Sequence, residues 1–151
     1  MWIEFQNPLN ESELVFPILE CFHLYSMVFL LAMVVMFDLR LMGVPWANQG
    51  PSSLAGFARL VLTWIWLPLL VNGVTGTLLF GTMAPDYSHN WAFQTKIALI
   101  VGGVAYHLAM LVAVARWRED ATTGAVTKLM SALAVLVWPS VIIASRWIAY
   151  A

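Results

Sequence analysis

The sequence predicts an all-α integral membrane protein, with four transmembrane helices packed antiparallel in one domain. Three observations predict it. First, 62% of the 151 residues are apolar and 10% are charged, against about 45–50% and about 25% in soluble domains. A soluble fold of this length leaves too much surface in water to hide that fraction. Second, the charges fall in short groups that separate four long apolar stretches. A helix needs about 20 apolar residues to cross the ~30 Å hydrocarbon core. Third, the alternating segments of about 10 residues expected of a membrane barrel are missing. The net charge of -1 comes without a basic cluster, so no nucleic-acid partner is expected. Cys21 is the only cysteine and makes no internal disulfide.

The first span is expected at 14–41, with its longest uncharged run at 21–37. Glu4, Glu11 and Glu13 precede it and a basic n-region is lacking, so a cleavable signal is not expected. Residues 1–5 carry Trp2, Ile3 and Phe5 and read as a short interfacial segment. Pro17 falls near the start of the span, where proline is tolerated. Gly43, Pro45, Gly50 and Pro51 mark a loop. The second span is expected at 59–83, between Arg59 and Asp86, and a tight turn at 85–88 follows it. The third is expected at 92–116 and the fourth at 127–148. Pro68 and Pro139 fall inside spans two and four and are expected to kink them.

Orientation follows from lysine and arginine in short loops. Arg40, Arg59, Arg116, Arg118 and Lys128 lie on one side, Lys96 and Arg146 on the other. The richer side is expected in the cytoplasm. That puts both termini in the periplasm of a bacterial inner membrane, in contact with membrane lipid.

Ionisable residues inside a bilayer are costly and mark candidate sites. Glu20, His23 and His107 are such residues, with Asn72 as an uncharged fourth. His23 lies nine residues after Leu14, and His107 ten after Ile97. Counted from those apolar starts, both sit about 14–15 Å below the same face. Spans one and three face each other across an up-down-up-down bundle. Two imidazoles at matched depth can grip one haem. Without a Cys-x-x-Cys-His run it would be haem b. Other readings stay open: interhelical packing by the histidines, another metal, or a proton path.

Satellite residues carry similar alternatives. Arg146 is the better partner for a haem propionate; Lys96 either reaches one or snorkels to the outer face. Glu20 either takes a proton from a quinol or orients a ligand, or simply reaches water at the interface. Glu20 and His23 form a single Glu-x-x-His, too little for a di-iron site. Asp38 and Arg40 read as an interfacial charge pair that ends span one.

Several segments resemble a known family. Leu19-Glu20-Cys21-Phe22-His23, then Phe37-Asp38-Leu39-Arg40-Leu41-Met42-Gly43, resemble span one of small bacterial four-helix membrane proteins of unknown function. Gly76-Thr77-Leu78-Leu79-Phe80, Asn90-Trp91-Ala92-Phe93-Gln94-Thr95-Lys96 and Ser145-Arg146-Trp147-Ile148-Ala149-Tyr150 are similar too. The likeness covers nearly the whole chain in short pieces. It departs at Ser145, where glycine is usual, and at Cys21-Phe22, where Thr-Leu is usual. That family is loosely similar to copper-resistance-D-like and b-type cytochrome membrane domains, where facing histidines hold haem. The resemblance implies His23 and His107 as haem ligands, with Glu20, Lys96 and Arg146 around them.

The expected function is a b-type cytochrome-like electron-transfer subunit rather than an enzyme on its own. One haem b would pass electrons between the quinone pool, itself a candidate ligand, and a periplasmic redox partner. The alternative is a cofactor-free structural or assembly subunit of a larger membrane complex. A pore would need a homo-oligomer around Asn72 or Glu20.

Overall fold

A computed structural model describes residues 14–50, 52–82 and 89–150. These residues are almost wholly helical, with no strand among them. Four helical segments are long and apolar enough to cross a membrane. The expected interfacial segment at 1–5 and the turn at 85–88 lie outside the described residues.

Helix α1, Val15–Met42, runs for 28 residues. Pro17 sits in its first turn, where its missing N–H would find no partner anyway. Gly43 ends it at φ 81°, a left-handed position that suits glycine. Its N–H donates to the Arg40 carbonyl and that of Val44 to the Leu39 carbonyl, both at 3.1 Å, the paired bonds of a Schellman motif. A 3₁₀ turn, Pro45–Asn48, follows.

The second span is two helices, α2 (Leu54–Trp64) and α3 (Trp66–Thr82). Ser53 caps α2 by accepting the Gly56 N–H at 3.0 Å. The chain breaks at Ile65, and Pro68 has no N–H to offer the Trp64 carbonyl. The helix therefore starts five residues before the expected boundary at Arg59. Arg59 is no boundary: it lies within α2 and carries its guanidinium out to Glu119 and the Trp117 carbonyl.

Helix α4, Trp91–Val114, is capped by Asn90, whose Oδ1 accepts from the N–H groups of Ala92 and Phe93 at 2.9 and 3.2 Å. Helix α5, Ala125–Trp147, carries Pro139 within an unbroken run and ends in a 3₁₀ turn, Ile148–Tyr150.

Most of each span faces outward. Phe29, Val101 and Leu136 are each more than 60% exposed, a surface that water would penalise and lipid would not. Two inner clusters hold the helices together. One joins Phe37 and Leu41 of α1 to Ala58, Val61 and Leu62 of α2 and Met110 and Val114 of α4. The other joins Leu30 and Val34 to Ile65, Trp138 and Val141. Helix α1 is the hub: it seams with α3 on one side and α5 on the other, and α5 seams with α4. Helices α3 and α4 share no such seam. Near the loop that joins them, the rings of Phe80 and Phe93 stack at 4.8 Å.

Candidate functional site

The missing α3–α4 seam leaves a cavity of about 280 Å³ among α1, α3, α4 and α5. Its walls are mostly apolar: Met27 and Leu31 from α1, Ile97 and Ile100 from α4, Trp138 and Ile142 from α5. Its polar groups are His23, Asn72, Thr77, Lys96 and Ser145. Among the described residues no acidic side chain lines it.

His23 is fixed from α3. The Thr75 hydroxyl donates to the Val71 carbonyl at 2.7 Å. Its oxygen therefore accepts from His23 Nδ1, at 2.9 Å. A neutral His23 then carries its proton on Nδ1 and presents Nε2 as an acceptor. Gly76 lets the ring lie this close to α3, since a Cβ there would stand 3.0 Å from His23 Cε1. Asn72 Nδ2 donates to the His23 carbonyl at 3.0 Å and to Ser26 Oγ at 3.2 Å. These two Asn72 bonds tie α3 to α1 at the level of His23.

His107 occupies a different place. It is 2% exposed, with Nδ1 donating to the Gly103 carbonyl at 2.8 Å. Phe37, Tyr106 and Trp138 box the ring, with centroids at 6.0, 5.1 and 6.0 Å. Its Nε2 is buried without a hydrogen-bond partner. Phe37 lies fourteen residues beyond His23 on α1, about 21 Å along the axis. Two imidazoles that share one metal place their nitrogens only about 4 Å apart, at about 2 Å per bond. The two histidines are not brought together, and a haem gripped between them does not fit this arrangement. The matched-depth count took Leu14 and Ile97 as level starts. Helix α4 in fact begins at Trp91, so His107 lies sixteen residues into its helix and His23 eight into α1.

Of the other candidates, Lys96 joins His23 at the cavity. Among the described residues no carboxylate or hydrogen-bond acceptor engages its ammonium. Glu20 is exposed and has no hydrogen bond or ion pair among the described residues. Arg146 is exposed and turned onto its own helix end, where it donates to the Tyr150 hydroxyl at 3.1 Å and lies over that ring. Among the described residues no group of three or more histidine, cysteine or acidic side chains could hold a metal ion.

The sequence reading missed one polar cluster. Asp38 is wholly buried, and its Oδ1 accepts from the Tyr106 hydroxyl at 2.7 Å. Tyr106 spends its proton there, so Ser131 Oγ donates to the phenol oxygen at 2.9 Å. Asp38 Oδ2 has no partner. The charge pair expected between Asp38 and Arg40 is not formed. Arg40 instead reaches the Ser52 carbonyl and lies 4.3 Å over the Phe57 ring. A signal was available: Leu30, Val34, Phe37 and Leu41 mark a helical stripe, and Asp38 lies within it.

No protein-family model, curated protein or solved structure matches this chain.

Proposed function

We propose that this is a multi-pass protein of a bacterial inner membrane, an antiparallel four-helix bundle with both termini periplasmic. It works without a resident haem, as a membrane subunit that takes a bilayer-dissolved ligand into the cavity beside His23. The observation that carries this reading is the cavity itself. It combines apolar walls with a few convergent polar groups, the usual form of a small-molecule site, and it sits where α3 and α4 part. The bundle order is supported by two contacts: the first half of α1 meets the second half of the second span through His23 and Thr75, and Asn90 before α4 donates to the Ile148 carbonyl after α5 at 3.0 Å. The orientation is supported by the five basic residues on one side against two on the other.

Three measurements test this. The detergent-purified protein from haem-replete cells is expected to show no b-type absorption after dithionite reduction and no pyridine haemochrome. A low-spin b-type spectrum lost in both His23→Ala and His107→Ala would instead restore the electron-transfer reading. Reporter fusions at Gly50 and Gly124 are expected to report the cytoplasm; an outside signal from either overturns the orientation. Finally, added bacterial lipid extract is expected to raise the melting temperature of the native protein more than that of Ile100→Trp, which fills the cavity. Equal shifts overturn the binding reading.

A further inference from the structure

The chemistry of the cavity narrows its ligand, and the argument rests on the reading that the cavity is a binding site. Lys96 lines it, with no acidic group in the lining and no partner for the ammonium among the described residues. A cation in apolar surroundings without a counter-charge is expensive. His23 lines the same space with Nε2 free to accept a proton. A donor-only cation beside a proton acceptor is complementary to an acidic headgroup. A carboxylic acid arriving from the bilayer shares its proton with His23 Nε2, and the oxygen left charged faces Lys96.

The shape limits the rest of the molecule. About 280 Å³ falls just under the usual range of ligand sites, roughly 300–1,000 Å³. It holds a compact headgroup and the first carbons of a chain. The cavity borders a second space on α3. Leu69, Gly73 and Thr77 line both it and an apolar groove along the outer side of α3, which Trp66, Leu70 and Val74 also line. A Cβ at Gly73 would meet nothing within 4 Å. One chain has room to pass there.

We infer that this cavity binds a single-chain amphiphile with a carboxylate headgroup, of the long-chain fatty-acid type, with the headgroup at Lys96 and His23 and the tail leaving past Gly73 along α3.

The test uses the full chain in dodecyl maltoside, with tritiated hexadecanoate read by scintillation proximity. Saturable binding is expected, displaced by unlabelled hexadecanoate and not by hexadecanol at equal concentration. Lys96→Met and Lys96→Gln are expected to weaken it roughly tenfold or more, the loss of one charge-assisted hydrogen bond. Lys96→Arg is expected to retain it, and Gly73→Phe, which plugs the passage, to weaken it without touching the charge. Gel filtration confirms that each variant is folded. If hexadecanol or decyl-ubiquinone displaces the label as well as hexadecanoate does, and the Lys96 variants bind normally, the acidic-ligand inference falls while the cavity remains a binding site. If a two-chain phosphatidylglycerol displaces it best, the single-chain assignment falls. If none of these probes binds saturably, both this inference and the binding reading fail.

Discussion

Asp38 brings two carboxyl oxygens into the protein interior, and only one of them finds a donor. Such a group depends heavily on the bond it does make, because a buried acceptor stripped of its partner loses about 1–3 kcal/mol. Tyr106→Phe removes that bond and leaves Ser131 without its acceptor as well. We expect it to lower stability by about 1–3 kcal/mol, read as a lower melting temperature in detergent. Asp38→Leu removes the polar group together with its need and is expected to cost less than Tyr106→Phe. The reverse order would mean that the carboxylate has a donor this structure does not provide. His23 and His107 show the same logic in opposite settings. One has a partner for Nδ1 and an open Nε2; the other has its Nδ1 bonded within its own helix and Nε2 sealed among rings.

At the scale of the element, helix ends and breaks decide where side chains arrive. Gly43 stops α1 at a left-handed φ of 81°, beside Lys128 Nζ at 3.6 Å from its would-be Cβ. There is room for a methyl group, so the cost of Gly43→Ala is conformational, about 1 kcal/mol. A thermal melt by circular dichroism is expected to show a modest drop; an unchanged melt would mean that the turn can relax to negative φ. The interruption between α2 and α3 matters more for the site. Helix α2 packs against α1 and α4, while α3, past Ile65, seams with α1 alone among the other spans. One span thus closes one end of the assembly and opens the other.

At the scale of the whole molecule, the apolar side chains face outward as well as inward. Burial against other helices covers no more than 33% of any spanning window. Helices with so little mutual burial meet through small residues and polar contacts, in the manner of membrane helices. Gly76 under His23 and Gly103 under Trp138 are the two closest approaches of this kind. The dense end of the assembly, around Phe37, Leu62 and Val114, holds it together, and the looser end holds the cavity.

Four apolar stretches, their order and nearly all their limits could be read from composition and charge spacing, because an apolar run long enough for a span, about 20 residues, is a local feature of the chain. The second start was misplaced at Arg59 because a long cationic side chain can leave a helix it belongs to. Lys96 and His23 were legible as candidates because an ionisable group in an apolar run stands out by itself. What they do together was not, and neither was the separation of His23 from His107. Depth counted along one helix says nothing about how far its neighbour slides against it. That offset is set by packing: Phe37 and Trp138 around His107, Thr75 and Gly76 against His23, and Tyr106 on Asp38. Sequence by itself determined which residues form the four long apolar segments; only the tertiary structure decided which of them meet, because helix register depends on contacts between residues far apart in the chain.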